Sequence, residues 1–446
     1  MRRINFLLRV LVNLLIVLVL FIGGLTLWLY TRQAEEPERE DLTASCKDAG
    51  KIIEKGATAK VEAKDSELEE NLEMTLSEEV DLQAELEQPE NTGENLLEEQ
   101  VEEVLQNMTL EEKVLQLFII TPEALTNHTT VTAAGDITKN SILQYPVGGL
   151  IYFAKNLKTR EQVEAMLENT CQYYEEAGYT HPFLAIDEEG GTVARIGNQP
   201  AFGVEKISDM SVIGESGDVK EAERVGSVIG TYLSELGFNL NFAPVADVLT
   251  NPNNKAIGKR SFGKDASLVS DMVQAEVQAM EDCGIYGVLK HFPGHGATDA
   301  DTHAGYAYTD KTLEALMEED LVPFIDGIES GTHFIMAAHI SVPTITGDST
   351  PCSLSSYMIT DVLRGKMGYE GIVVTDAMDM KAVEHQYTSA QAAVLALEAG
   401  VDIILMPESF QMAYEGILEA VESGQLTEER IDESVQRILR VKCLPI

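Results

Sequence analysis

Residues 290–303 carry the densest set of proton-transfer groups in this chain. Three histidines, two aspartates and one lysine fall within these fourteen residues. The preceding apolar run, residues 285–289, is typical of a buried strand, whereas a proline and two glycines inside the segment favour a loop. The pattern therefore predicts a polar, mobile loop delivered by a rigid strand, and functional sites are often built in that way.

Asp301 and His303 lie two residues apart in this segment and could act together. An aspartate can hold one ring nitrogen of a histidine and raise its basicity, which leaves the other nitrogen free to move a proton near neutral pH. The same types could instead bind a divalent metal, but the paired spacing of zinc motifs such as HExxH is missing. That alternative cluster comprises His291, His295, Asp299, Asp301 and His303. The pattern favours acid–base chemistry with no metal and no other cofactor.

Further polar side chains follow other apolar runs. Asp376 ends the run 371–375, where a carboxylate could be a nucleophile, a general base or a metal ligand, or could cap the next helix. Asp187 begins a Gly-rich turn in which it could accept two sugar hydroxyls, while Arg195 braces it or donates to the ligand. A plain surface turn is also compatible with these two residues, and Arg260, in another loop, is uninformative alone.

Short apolar runs alternate with helical stretches from residue 108 onward. Eight such runs predict an α/β protein with a (β/α)8 TIM barrel. An open doubly wound sheet is the alternative, but no Gly-rich phosphate turn follows the first run. In a barrel, polar residues that end the strands share one active face, as Asp187, Asp247, Lys290 and Asp376 would. The predicted strands are residues 115–120, 148–153, 183–186, 240–242, 287–290, 334–338, 371–375 and 402–405.

The charge and the cysteines exclude some classes of function. The chain has 446 residues and a net charge of −42, which argues against nucleic acid as a partner because the phosphates would be repelled. The five cysteines lie far apart and include no CxxC pair. They therefore predict neither a zinc site nor a disulfide framework.

Two segments precede the predicted barrel. Residues 10–30 form an uncharged apolar run long enough to cross a membrane, with arginines before it and acidic residues after it. We expect residues 1–32 to be a cytoplasmic stub and an uncleaved transmembrane signal-anchor, with a cleaved signal peptide as the alternative. Residues 33–107 contain no aromatic residue and 24 acidic against 6 basic residues, which predicts a largely disordered linker with helical spacing at 96–105. This topology places residues 108–446 outside the cell membrane.

Taken together, the motifs of residues 108–446 resemble glycoside hydrolase family 3, and within it the β-N-acetylglucosaminidase branch. The KHFPGHG sequence with a following Asp-x-His pair is similar to the mark of that branch, whereas other members usually take their acid/base Glu from a second domain. Thr302 stands between Asp301 and His303 where the branch usually has serine. This departure leaves both members of the pair in place. The segments that carry the resemblance are residues 108–113, 147–151, 187–191, 241–247, 260–263, 290–303 and 375–380.

The resemblance implies a role for each candidate residue. Asp376 would be the nucleophile, and His303, held by Asp301, would be the acid/base, since the residues beyond the barrel make only two or so helices and supply no second domain. A retaining double displacement would then run through a covalent glycosyl–Asp376 intermediate, with an imidazole in place of the usual second carboxylate. The implied ligands of the sugar hydroxyls are Asp187, Arg195, Arg260, Lys290 and His291.

The resemblance also implies a carbohydrate substrate, a glycan with a non-reducing terminal β-GlcNAc. A peptidoglycan fragment in cell-wall turnover is the most natural example for an outward-facing enzyme of a bacterium with a single membrane. A family 3 β-glucosidase or β-xylosidase is the nearest alternative. A GlcNAc phosphorylase is another, because a neutral or cationic histidine would not repel phosphate as a carboxylate would. A catalytically dead glycan-binding protein and a metal-dependent barrel enzyme are alternatives from other classes.

Overall fold

Eight short apolar runs form the strands of one parallel sheet. The computed structural model describes residues 93–298 and 305–444, and every residue of these strands is buried. Runs rich in Ile, Val and Leu without polar alternation are expected of strands that are covered on both faces. The strands are β1 Phe118–Ile120, β2 Gly149–Tyr152, β3 Phe183–Ile186, β4 Leu240–Asn241, β5 Tyr286–Phe292, β6 Phe334–Ala337, β7 Ile372–Thr375 and β8 Ile404–Leu405.

The order of the strands is that of a barrel. They pair in parallel in chain order from β1 to β7, and β8 pairs with β1. A parallel bridge between Val374 and Ile403 joins the two remaining edges, and the Ile403 N–H donates to the Val373 carbonyl oxygen over 3.0 Å. The predicted eight-stranded parallel architecture is therefore confirmed, and it is consistent with a (β/α)8 barrel rather than with an open doubly wound sheet.

Polar residues cap several of the helices that connect these strands. Thr159, Asp218, Asp265 and Ser409 each accept a hydrogen bond from a backbone N–H of the first helical turn, which satisfies a donor that the helix leaves unpaired. A π-helix spans Tyr357–Lys366. The α-helices are Gly93–Asn107, Leu110–Gln116, Pro122–Thr126, Asp136–Gln144, Arg160–Glu176, Met210–Ser216, Val219–Leu236, Ala266–Glu281, Leu313–Glu318, Val322–Glu329, Pro343–Thr346, Lys381–Glu384, Ser389–Ala399, Phe410–Glu422 and Glu428–Cys443.

The first strand begins later than predicted, because a helix occupies the start of the apolar run. The Thr109 side chain accepts the Glu112 N–H over 3.3 Å, and the Glu112 carboxylate accepts the Thr109 N–H over 2.9 Å. This reciprocal capping box starts the helix Leu110–Gln116. Leu115 is buried at the end of that helix, and a short apolar run does not distinguish a buried helical turn from a strand.

The helix Gly93–Asn107 packs against the C-terminal helix Glu428–Cys443. Val101 is buried, and Glu98 forms a bidentate ion pair with Arg440 at 2.6 and 2.8 Å. The helical spacing at the end of the predicted linker therefore corresponds to a helix of the folded unit.

The predicted anchor, residues 1–32, and the predicted linker up to residue 92 lie outside the described residues. Within residues 93–298 and 305–444, no helix combines the length and the apolar character needed to span a membrane. Asp301 and His303 also lie outside the described residues.

Candidate functional site

The carboxyl ends of the barrel strands surround a cavity of about 240 Å³. This volume is at the small end for ligand sites and suits a single sugar ring. Because the strands of a parallel barrel all end on one face, side chains far apart in the sequence converge there. Six of the predicted site residues line the cavity: Asp187, Arg195, Arg260, Lys290, His291 and Asp376.

Asp376 is held just beyond β7 by backbone contacts. Its N–H donates to the Ala337 carbonyl oxygen over 2.8 Å, and one carboxylate oxygen accepts the next residue's N–H over 2.8 Å. Burial opposes ionisation, but His291, His339 and Lys290, together with that N–H, hold the pKa of Asp376 below its ordinary value. The carboxylate is therefore ionised near neutral pH, as a nucleophile must be.

A buried charge cluster of Glu189, Arg260 and Lys290 forms one wall of the cavity. Glu189 accepts two hydrogen bonds from the Arg260 guanidinium, at 2.8 and 2.7 Å, and one from Lys290 Nζ at 2.5 Å. Burial alone would raise the pKa of Glu189, but the two cations hold it well below its ordinary value. Glu189 thus acts as a fixed counter-ion that orients both cations toward the cavity.

Asp187 lies at the edge of this cluster and keeps capacity for a ligand. Lys290 Nζ is 3.1 Å from one of its carboxylate oxygens, and Arg195 Nη2 is 3.3 Å from the other. The Arg195 guanidinium also packs over the Phe153 ring, 5.4 Å from its centroid. Both Asp187 and Arg195 are partly exposed, so each can bind a sugar hydroxyl while Arg195 braces Asp187.

Asp247 fixes His291 from the buried side. Its carboxylate lies 2.7 Å from His291 Nδ1 and accepts the backbone N–H groups of His291 and His295 over 3.2 and 2.6 Å. Burial opposes ionisation of Asp247, but the facing His291 ring and these contacts hold its pKa below the ordinary value. When the ring is neutral, an Nδ1–H that donates to Asp247 leaves His291 Nε2, which is 3.4 Å from Arg260 Nη2, as an acceptor.

Glu188 organises the turn that carries Arg195. The turn is a small hairpin of Glu188–Gly190 and Val193–Ala194. The fully buried carboxylate accepts three consecutive backbone N–H groups, beginning with that of Arg195, over 2.5–2.9 Å, and the Tyr232 hydroxyl over 2.8 Å. Glu188 therefore shapes the loop and leaves ligand binding to its neighbours.

The segment that begins at Lys290 is more closely packed than the sequence suggests. Lys290 and His291 belong to β5, so the expected loop begins only after Phe292. A Cβ added to Gly294, whose φ is +114°, would lie 2.7 Å from the Asp320 Cβ, and one added to Gly296 would lie 2.0 Å from a carbonyl oxygen. Close packing, rather than mobility, therefore accounts for these two glycines.

Glu189 and Asp247 contact predicted site residues, although the only prediction for either was that Asp247 lies on the active face. Asp247 follows β4 as Asp376 follows β7, so the strand-end pattern already indicates its place. Glu189 lies two residues after Asp187, and only its long-range contacts with Arg260 and Lys290 distinguish it from a surface carboxylate.

The described part of the site contains no group of side chains suited to bind a metal ion. Within residues 93–298 and 305–444, no three His, Cys, Asp or Glu side chains are grouped so that they could hold a metal ion. His295 Nδ1 is 3.0 Å from the Thr298 hydroxyl, and burial lowers the pKa of His295, so its ring is neutral near pH 7.

Comparisons with known proteins support the resemblance. The protein-family model of the glycosyl hydrolase family 3 N-terminal domain matches residues 109–441 of this chain. Beta-hexosaminidase A of Pseudoalteromonas piscicida is 35% identical over 323 residues, which are 68% of this chain and 54% of that protein. The beta-hexosaminidase of Chromobacterium violaceum is 35% identical over 271 residues, 59% of this chain and 73% of that protein. This chain thus spans about half the length of the first relative.

A solved structure supports the same conclusion. A glycoside hydrolase family 3 β-N-acetylglucosaminidase from Paenibacillus sp. str. FPU-7 matches with a TM-score of 0.70 and 36% identity, over 76% of this chain and 64% of that one. The predicted family is therefore confirmed by sequence and by fold. This chain belongs to glycosyl hydrolase family 3.

Proposed function

We propose that this chain is a retaining β-N-acetylhexosaminidase that removes non-reducing terminal β-GlcNAc. The observation that carries the proposal is the position of Asp376, which is held just beyond β7 and lines one small cavity together with Asp187, Arg195 and Lys290. A carboxylate nucleophile surrounded by donors and acceptors for hydroxyls suits glycoside cleavage. The similarity to a beta-hexosaminidase and to a β-N-acetylglucosaminidase supports β-GlcNAc as the sugar.

The reaction proceeds in two displacements at the anomeric carbon. Asp376 attacks that carbon, the bond to the leaving oxygen breaks, and His303 donates its proton to that oxygen. Water then attacks the glycosyl ester and gives a proton to His303, which Asp301 holds. The sugar leaves with its original anomeric configuration, and Asp376 is regenerated.

The cavity contributes binding and electrostatic stabilisation. Asp187, Arg195 and Lys290 bind hydroxyls of the sugar ring. Arg260 and His291, which line the same cavity, bind hydroxyls as well. The Asp376 carboxylate also stabilises the positive charge that develops on the sugar ring in an oxocarbenium-like transition state. Because these groups are already paired with one another, little reorganisation is needed when the substrate binds.

A substrate panel tests the proposed sugar. We expect the purified protein to hydrolyse aryl β-GlcNAc. Aryl β-glucoside and aryl β-xyloside should be hydrolysed at least about a hundredfold more slowly. Preference for the glucoside or the xyloside would contradict the GlcNAc assignment. The reaction is then repeated in high phosphate: free GlcNAc is the expected product, and GlcNAc-1-phosphate would indicate a phosphorylase.

Replacing His303 by alanine is expected to lower kcat/KM by roughly 10²- to 10⁴-fold for a GlcNAc disaccharide, the usual contribution of general acid–base catalysis. The loss should be smaller for a dinitrophenyl glycoside, whose leaving group needs no proton. Thr302→Ser, which introduces the residue usual in the branch, is the matched control and should retain activity. Equal losses on both substrates would contradict the acid/base role of His303.

Replacing Asp247 by asparagine is expected to lower kcat/KM for aryl β-GlcNAc by roughly a hundredfold, because an amide facing Nδ1 favours the wrong tautomer of His291. Far-UV circular dichroism should show an intact fold. The control is Asp265→Asn, which exchanges one good N-cap for another and should leave kcat/KM unchanged. Unchanged activity in Asp247→Asn would show that the orientation of His291 is unimportant.

We also propose that the enzyme is anchored by residues 10–30 with its barrel outside the cell, where peptidoglycan fragments are available. The arginines before this apolar run and the acidic residues after it support that orientation. Protease treatment of intact cells should release or degrade the barrel. Full protection, with degradation only after lysis, would overturn the placement.

A further inference from the structure

Tyr306 and Tyr308 stack on each other shortly after the predicted acid/base pair along the chain. Their ring centroids are 5.4 Å apart, and the ring planes are inclined by 20°. The two residues are 45% and 47% exposed, although aromatic side chains usually gain stability from burial. An ordered aromatic pair at the surface is typical of a binding site.

Backbone contacts fix this pair to the segment that follows β6. Tyr308 forms a parallel bridge with Ser341, the Ser341 N–H donates to the Ala307 carbonyl oxygen over 2.9 Å, and the Thr309 N–H donates to Ser341 over 3.1 Å. Ala307 is fully buried. Because side chains alternate along an extended segment, the tyrosines on either side of it face away from the core together.

The same segment also contacts the nucleophile's loop. His339, two residues before Ser341, has its Nε2 3.0 Å from the carbonyl oxygen of Ala377. Ala377 directly follows Asp376. Residues 339–341, which follow β6, therefore contact both the tyrosine segment and the residue next to Asp376.

We propose that Tyr306 and Tyr308 form a platform for the sugar ring on the leaving-group side of the cleaved bond. This inference rests on the proposed function. Neither tyrosine lines the cavity, whose volume of about 240 Å³ suits one ring, so we place the second ring of the substrate outside it, on the pair. The C–H groups of a pyranose ring pack against an aromatic face, and a sugar-sized contact of this kind needs no charged partner.

The proposed platform recognises the apolar face of a sugar ring rather than a charged group on the substrate. Lys311, the basic residue nearest to the pair along the chain, already pairs with Glu319 at 2.7 Å and with Asp320. We therefore expect neutral chitobiose and the acidic GlcNAc–MurNAc disaccharide to depend on the two tyrosines to a similar extent.

The experiment compares the full-length chain with the double variant Tyr306→Ala/Tyr308→Ala on chitobiose, GlcNAc–MurNAc and GlcNAc β-fluoride. Fluoride is too small to reach the platform, so its release reports on the nucleophile and the first sugar alone. We expect kcat/KM to fall about tenfold or more for both disaccharides, as for the loss of one or two aromatic contacts. The fluoride should be cleaved at the wild-type rate, and Tyr306→Phe/Tyr308→Phe should keep most of the disaccharide activity.

Other results would overturn the inference. An equal loss on all three substrates would show that the tyrosines support the fold or the nucleophile instead. Wild-type rates on both disaccharides would show that no ring binds there, and a loss confined to the acidic disaccharide would show selection by charge. If the wild-type chain failed to cleave even the fluoride, the proposed function itself would be wrong, and the platform with it.

Discussion

Asp376→Ala is expected to lower kcat for aryl β-GlcNAc by about a thousandfold or more, which corresponds to about 4 kcal/mol of transition-state stabilisation. Asp376 lies in the cavity with its pKa held below the ordinary value, and in the proposed mechanism the substitution removes both the covalent route and the charge opposite the oxocarbenium ion. Added azide should restore part of the activity and yield the α-glycosyl azide. That product has the opposite configuration because azide takes the place of the missing carboxylate.

The matched control for this variant is Asp379→Asn, three residues further along the same cavity wall. It removes a carboxylate of the same size and should change kcat by less than about tenfold. The assignment would be contradicted if Asp379→Asn were the inactive variant. It would also be contradicted if azide restored activity with a β-glycosyl azide as the product.

Glu189→Ala is expected to lower the free energy of unfolding by about 3–5 kcal/mol, because it leaves Arg260 and Lys290 without their shared buried counter-ion. Urea denaturation measures the loss. The activity should also fall, since the two cations lose the orientation in which they face the substrate. Glu221→Ala, which breaks an exposed ion pair with Arg224, should change the free energy of unfolding by less than about 1 kcal/mol.

The stability of the Glu189 variant should also respond differently to pH. The pKa of Glu189 is lower in the folded than in the unfolded state, so its stabilisation is complete above the ordinary carboxyl pKa of 4.5 and is lost as the pH falls below it. Wild-type stability should therefore decrease more steeply on acidification than that of Glu189→Ala. Parallel stability curves for the two proteins would show that the cluster does not hold Glu189 in its charged form.

The strands β3 and β7 could be predicted closely because each is a short apolar run that is followed directly by an aspartate, Asp187 or Asp376. The predicted strand 183–186 matches β3 at both ends, and the run 371–375 differs from β7 by one residue. The run 115–120 failed at its start because the capping box of Thr109 and Glu112 commits the first half to a helix. A hydrophobic run alone does not carry that local hydrogen-bond information.

The strand-end positions of the site could also be predicted, whereas its internal pairing could not. Asp187 and Asp376 each follow a strand, and barrel geometry brings such residues to one cavity. The counter-ion role of Glu189 depends on Arg260, which lies 71 residues away in the sequence. No local pattern indicates such a pair, because its energy comes from burial and from tertiary contacts.

The measurement that tests the central claim most directly is mass spectrometry of the protein trapped during turnover with a 5-fluoro-GlcNAc fluoride. The fluorine slows hydrolysis of the glycosyl ester, so that a covalent intermediate accumulates. We predict that one peptide gains the mass of a single fluorosugar and that fragmentation places it on Asp376. A label on another residue, or continued turnover with no labelled peptide at any time, would contradict the proposed nucleophile and the double displacement that depends on it.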